Sequence, residues 1–238
     1  LAAGLLDGSA RTVWGDTLAD YAVEPKFGAG GLAFVPAPET SLDTQILRPV
    51  ETPHQPNGGL AMVAGNLGRA VIKVSAVDPA HHRITAPAAV FDNEADVKTA
   101  FSDGQLHRDV AVVVRNQGPK ANGMPELHSL TPILGTLKDQ GHKIMLITDG
   151  RMSGASGRVP AAIHVTPEAM SGGAIGRIAD GDMITLDATK GSLSVAADLD
   201  NRPASRQPVS AGAFGRELFA DMRDQAAPAE QGGGINML

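Results

Sequence analysis

The sequence predicts a β-rich α+β fold, a barrel or sandwich with helical insertions, and three observations carry that expectation. From about Leu60 the chain breaks into seven short β-branched or alternating runs separated by turn residues: RAVIKVSAV, HRITAPAAVF, DVAVVVRNQ, KIMLITD, AAIHVT, DMITLDA and SLSVAAD. Only two amphipathic helical stretches interrupt them. Of 238 residues, 42% are hydrophobic and only 3% aromatic, so the core must be built from Ala, Val, Ile and Leu.

The elements follow in order. Residues 1–58 hold a short helical start, a stretch around Trp14 and Tyr21 without firm periodicity, and a loop with Pro36, Pro38, Pro49, Pro53 and Pro56, ending in NGG. This reads as a connector wrapping a neighbouring domain. Residues 59–206 are the β-rich domain. Within it, DNEADVKTAFSDG is read as a helix with Asp92 as N-cap, acidic residues in the first turn and Gly104 as its stop. MPELHSLTPILGTLKDQG places Leu127, Leu130, Leu134 and Leu137 at three- and four-residue spacing, and Pro132 inside it implies a kink or a broken start. Residues 207–238 are read as a C-terminal helix, with Phe214, Leu218 and Met222 on one face, and a frayed tail, PAEQGGGINML.

Charge and composition exclude several functions. The net charge is −6 and no Lys/Arg block occurs, which argues against nucleic acid and anionic membrane as partners. No apolar run approaches the ~20 residues of a membrane span, so a cytoplasmic protein is expected. With no cysteine, the chain has no disulfide, no thiolate zinc site and no cluster ligands of its own. None of the seven histidines has a helical i+4 partner, so they read as ordinary surface or core residues. The first residue is Leu rather than Met, and the chain is expected to be part of something longer.

Two loops could carry chemistry. TDGRMSGASGR follows the apolar run KIMLI. Gly150, Gly154 and Gly157 permit sharp bends, while Arg151, Arg158 and a row of backbone N–H groups could hold a carboxylate or phosphate. An anion cradle, a catalytic serine turn and a plain connection all remain open. GNLGR at 65–69 is a weaker glycine turn of the same kind. RNQGPKANGMPEL follows another strand and leads into a helix at Pro125, with Glu126 in its first turn. Glu126 is favoured there by the helix dipole whatever its role, and is equally a plausible oxygen ligand for Mg²⁺.

Together, GNLGRAVIKVSAV, VVVRNQGPKANGMPELHSLTPILGTL, LITDGRMSGASGRVPAAIHVTPEAMSGGAIGRIADGDMITLD and FGRELFADMR resemble the C-terminal part of the dihydroxyacid and phosphogluconate dehydratase family, over residues 1 to about 225. Within the family, the wording QGPKANGMPELH and DGRMSGASGRVPAAIHV is nearer to the sugar-acid enzymes of the Entner-Doudoroff pathway than to those of branched-chain amino-acid synthesis. The resemblance implies a β-barrel like the swivelling domain of aconitase, serving as a catalytic lid over a larger N-terminal domain. That upstream domain would carry the cysteines of an iron-sulfur cluster, and the complete protein would be a homodimer.

The resemblance also implies site residues. Ser153 falls on the serine thought to act as the alkoxide base at C2, and Glu126 on a ligand of a divalent cation, Mg²⁺, whose other ligands lie in the N-terminal domain. Gly154 and Ser156 lie beside Ser153 in the substrate loop, and Ser156 is a second candidate for the base. A phosphorylated sugar acid needs a cationic pocket, for which Arg158 and Lys120 are candidates, with Arg151 bracing the loop. A barrel that only binds anions or mediates assembly is the alternative for the chain by itself.

Overall fold

The computed structural model describes residues 1–152, 158–205 and 217–235, without the side chain of Glu217. The chain divides into two compact units, Leu1–Asn57 and Gly58–Leu238. The first, expected to be a connector, contains an antiparallel hairpin of β1 (Val23–Gly28) and β2 (Gly31–Pro36), paired from Val23↔Pro36 to Gly28↔Gly31. The tight turn needs Gly31 at φ +93°. Trp14 packs edge-on against Tyr21, ring centroids 5.2 Å apart, and lies 5.4 Å from Phe34 of β2, so this unit has its own aromatic cluster.

The second unit is a closed, mixed barrel. Its strands are β3 (Leu60–Gly65), β4 (Gly68–Lys73), β5 (Arg83–Phe91), β6 (Val110–Val114), β7 (Ile144–Thr148), β8 (Ala161–Thr166), β9 (Met183–Asp187) and β10 (Ser192–Val195). They are ordered β10-β3-β4-β8-β7-β6-β5-β9 around the barrel. Seven of them are the runs read from the sequence. The eighth, β3, was not anticipated: LAMVAG is short and ends on the glycine turn that pairs Gly65 with Gly68.

β5, β6, β7 and β8 run parallel to one another, whereas the other pairings are antiparallel except β10 with β3. Parallel strands need crossovers, and two of these carry helices: α1 (Glu94–Ser102) between β5 and β6, and α3 (Thr131–Asp139) between β6 and β7. That explains why VAVVV and IMLIT are apolar throughout: every residue of β6 and β7 is buried. Ala111, Val113, Met145 and Ile147 face the barrel interior with Val63, Ile72, Ile184 and Leu193. Their sequence neighbours Val110, Val112, Val114, Ile144 and Leu146 face outward, against Val97 of α1 and Leu127, Leu130, Leu134 and Leu137. Burying each such side chain is worth about 1.5–3 kcal/mol, and here two separate cores share one pair of strands.

The helices differ from the sequence reading at their starts. The N-cap of α1 is Asn93, whose side chain accepts from the Asp96 backbone N–H, and not Asp92. The Asp92 carboxylate is turned away to accept from Arg115 Nε at 2.7 Å and Asn116 Nδ2 at 2.9 Å. Gly104, at φ +75°, does follow the helix end. The second stretch is broken rather than continuous: a 3₁₀ turn at His128–Leu130 precedes α3, leaving Pro132 in the first turn, where its missing N–H costs nothing. Glu126 therefore precedes the helical turns instead of occupying one.

At the C-terminus, a 3₁₀ turn at Glu217–Phe219 leads into the five-residue α4 (Ala220–Asp224). Phe214 of the expected apolar face is outside the described residues, and Leu218 is 78% exposed. The tail, read above as frayed, closes on itself through an antiparallel bridge between Ala226 and Ile235. It also pairs Glu230 with Arg69 of β4. Among the described residues, no helix is long and apolar enough to cross a membrane.

Closure of the barrel is tight where β3 meets β10. A Cβ added at Gly65 would lie 1.9 Å from the Leu193 carbonyl oxygen, whereas one at Gly135 in α3 would meet nothing within 4 Å. Gly65→Ala is expected to cost about 1–3 kcal/mol by forcing the seam apart, and Gly135→Ala to gain roughly 0.5–1 kcal/mol by removing a mid-helix glycine. Thermal melts of the two variants check this; equal shifts in the same direction would refute the seam as a point of strict packing.

Candidate active site

Because β6 and β7 are parallel, with Val114 opposite Thr148, the loops that follow them leave the barrel at the same end. The carboxyl ends of parallel strands are where such folds place ligands. The first loop is RNQGPKANGMPE and the second DGRMSGASGR, so topology alone brings the two sequence motifs together.

Asp149, the first residue after β7, is completely buried. Its carboxylate accepts from the backbone N–H groups of Gln117 at 2.9 Å, Asn116 at 3.2 Å and Ala169 at 2.9 Å. One side chain thereby fastens the loops after β6, β7 and β8. Burial, reinforced by the nearby Glu168 charge, raises its pKa from 3.8 to about 6 even though the three N–H groups pull the other way.

Glu168, also buried, performs a second fastening. It accepts from the backbone N–H groups of Lys120 and Ala121, both at 3.1 Å, in the first turn of α2 (Pro119–Asn122), whose N-cap Gly118 has no side chain to offer. Gly118 is required for this approach: a Cβ there would fall 2.3 Å from Glu168 Oε2.

The polar residues of the first loop are largely engaged with neighbouring segments and with one another. Arg115 pairs with Asp92 and donates to the carbonyl of Ile178 at 3.1 Å. Asn116 sits in the left-handed region at φ +60° and reaches Asp92. The Gln117 side chain donates to the Asp92 carbonyl and accepts from Asn122 Nδ2, both at 2.8 Å. RNQGPKAN is thus mainly a rigid frame.

What the frame presents is the GMPE turn beside the second loop. Arg151 donates from Nε to the Met124 carbonyl at 2.8 Å, and its own carbonyl accepts from Leu127 N at 3.1 Å. Glu126 and Arg151 form a parallel bridge between the two loops. The Glu126 side chain is exposed at this junction. Below it, His164 of β8, at φ +56°, donates its backbone N–H to the Gly150 carbonyl at 2.9 Å. Its imidazole pKa is lowered, first by burial and then by the Arg151 charge, so it favours the neutral ring.

The remaining candidates are placed as follows. Ser153, Gly154 and Ser156 lie outside the described residues, between the buried Met152 and Val159. Lys120 is half-buried in α2, and Arg158 pairs with Asp139 at the end of α3 at 3.1 Å, both partners well exposed. Among the described residues no group of three His, Asp or Glu side chains could hold a metal ion. Glu126 fits a hard cation as one oxygen donor, while Asp149 and Glu168 already spend their oxygens on backbone N–H groups. With no cysteine, nothing in the chain fits the thiolate role of a cluster ligand.

Sequence reasoning missed Asp149, Glu168 and the Asp92–Arg115 pair. A carboxylate ending an apolar strand was visible at Asp149, but nothing in the sequence says that three N–H groups converge on it.

The raised pKa of Asp149 has a definite sign. The folded state holds this proton more tightly than the unfolded chain, so the contribution is fully present below 3.8 and is lost as pH rises through about 6. In Asp149→Asn that dependence disappears. The stability of the native protein relative to the variant should therefore increase as pH is lowered from 7 toward 4, read from melts at each pH. A difference that stays flat or shrinks would contradict the assignment.

Comparison with known proteins identifies the family of the chain. Residues 45–233 match the family described as Dihydroxy-acid/6-phosphogluconate dehydratase C-terminal. The phosphogluconate dehydratase of Rhizobium meliloti is 50% identical over 238 residues, covering 98% of this chain and 39% of the relative. That of Pseudomonas aeruginosa is 50% identical over 233 residues, covering 96% and 38%. A dihydroxy-acid dehydratase of Ignicoccus hospitalis is 36% identical over 200 residues, covering 82% and 36%. The chain thus spans about two fifths of the length of these relatives. A matched span of this extent, over a barrel whose two shared loops meet at one edge, means that the chain belongs to the dihydroxy-acid/6-phosphogluconate dehydratase family and represents its C-terminal part.

Proposed function

We propose that the chain is the catalytic lid of a hydro-lyase that converts 6-phospho-D-gluconate into 2-keto-3-deoxy-6-phosphogluconate and water, the dehydration step of the Entner-Doudoroff pathway. The observation that carries this reading is the junction of the GMPE turn with the DGR loop, fastened by Asp149 and bridged at Glu126 and Arg151. The substrate is supported by the 50% identity to proteins named phosphogluconate dehydratase, against 36% to one named for dihydroxy acids.

In the proposed reaction, Ser153 takes the proton from C2 as an alkoxide, that proton is passed on to the departing 3-hydroxyl so that water leaves and the alkoxide is restored, and the resulting enol tautomerises to the 2-keto acid. Backbone N–H groups of a glycine-bearing loop suit the alkoxide and the developing enolate. An iron-sulfur cluster held by thiolates outside this chain, and a Mg²⁺ with Glu126 as one ligand, would supply Lewis acidity at the departing hydroxyl and at the enolate. The chain's own part is to orient the substrate, exclude water and move the C2 proton. A cytoplasmic homodimer and a cluster-bearing N-terminal domain as partner belong to the same proposal, on the resemblance alone.

Two variants of the complete enzyme test it. Ser153→Ala removes one oxygen, and loss of a general base typically slows the reaction by about 10²- to 10⁴-fold. Exchange of the C2 hydrogen with solvent deuterium, followed by NMR, should fall with it; undiminished exchange would exclude Ser153 as the base, and a collapse confined to Ser156→Ala would transfer the role.

Glu126→Gln keeps the side chain's size and removes its charge. It should weaken the Mg²⁺ dependence of activity with little change in melting temperature, since its side chain is exposed. A variant that melts early yet keeps its Mg²⁺ response would mark Glu126 as structural.

A further inference from the structure

A cavity of about 420 Å³ opens directly beside the GMPE turn, between that turn and the C-terminal segment. One wall is Gly123, Met124 and Arg151; the other is Phe219, Met222 and Arg223. Two arginines line it and no acidic side chain does, among the described residues. The walls are otherwise apolar, and an arginine in such surroundings is a stronger anion partner than one in open water. The volume suits a small polar ligand.

The cavity is built by the tail that sequence alone left as frayed. The Ala226–Ile235 bridge and the Ala227 N–H donated to the Gly234 carbonyl at 2.8 Å close the turn. Gly233 then rests against the GMPE loop, with a Cβ position 3.5 Å from Pro119 and 3.8 Å from Met124. Arg151 is braced by its Nε bond to the Met124 carbonyl, which fixes the plane of its guanidinium at the cavity wall. Arg158, by contrast, faces Asp139 on the outside of α3.

We infer that this cavity is the phosphate subsite, with Arg223 and Arg151 as the residues that distinguish a phosphorylated sugar acid from its unphosphorylated counterpart. This rests on the proposed substrate. Met124 and Arg151 both line the cavity, and Arg151 is bridged to Glu126, so the cavity adjoins the proposed metal-ligand end of the site. An acyclic six-carbon acid can then extend from the reacting end toward the tail, its phosphate meeting the two guanidinium groups. Guanidinium pairs with phosphate bidentately, a geometry that lysine cannot copy.

The test has two arms. In the complete enzyme, Arg223→Gln is expected to lower the ratio of kcat/KM on 6-phosphogluconate to that on gluconate by about 10- to 100-fold, acting through KM. Arg223→Lys, which keeps the charge and guards against misfolding of the first variant, should lower the ratio by less. Equal losses on both substrates, or an unchanged ratio in both variants, would overturn the inference while leaving the proposed reaction intact.

In the second arm, inorganic phosphate is titrated into the chain and followed by NMR shifts of the Gly232 and Gly233 amides. Saturable shifts that weaken about 10-fold or more in Arg223→Gln are expected. Absence of saturable shifts in the native chain would overturn the subsite. If the complete enzyme does not dehydrate 6-phosphogluconate at all, the proposed function fails, and this second arm still decides whether an anion site exists.

Discussion

The Asp149 carboxylate holds the site end of the barrel together. Three loops leave the parallel edge and meet at that one side chain: Asn116 and Gln117 of the first and Ala169 of the third donate backbone N–H groups to it, and Asp149 itself stands at the root of the second. A buried charge is costly unless hydrogen bonds replace the lost water, and here they are supplied by groups that would otherwise be orphaned at strand ends. Glu168 repeats the device for α2, and the two carboxylates are close enough to raise the pKa of Asp149. The reactive-looking sequence RNQGPKAN is therefore chiefly the scaffold that keeps the GMPE turn in place.

A rigid frame would suit the proton abstraction proposed for this site. Such chemistry depends on holding the base and the substrate in fixed relation, because a small misplacement weakens the reaction steeply. The frame achieves this with bonds from Asp149, Thr148 and Gln117 at the root of the loop. Among the described residues, the clamp of Asp149 and Glu168 works entirely through backbone N–H groups, five in all.

Much of the barrel was legible in the chain because β6 and β7 read as uninterrupted apolar runs and the leucines around α3 repeat at helical spacing. The order of strands was not, since pairing partners and parallel direction depend on contacts distant in sequence. β3 escaped notice because LAMVAG is mostly exposed, with only Val63 buried, and the hairpin of β1 and β2 because its burial pattern is nearly featureless. In the site, residue chemistry left Ser153 and Glu126 ambiguous, and the roles proposed for them rest on family resemblance. Asp149 could not be read as a clamp, nor Arg158 as the partner of Asp139, because both depend on what lies opposite in space. Asp92 shows the same limit at close range: its sequence position suits an N-cap, but Arg115, twenty-three residues on, claims it.

The two cores that share β6 and β7 give neighbouring positions separate histories. Val112 answers to the leucines of the outer helices, and Val113, one residue later, to the strands across the barrel. Substitutions at these adjacent sites should therefore be compensated in different places. In evolutionary terms, one strand would carry two interleaved covariation patterns, odd and even positions drifting with unrelated sets of partners.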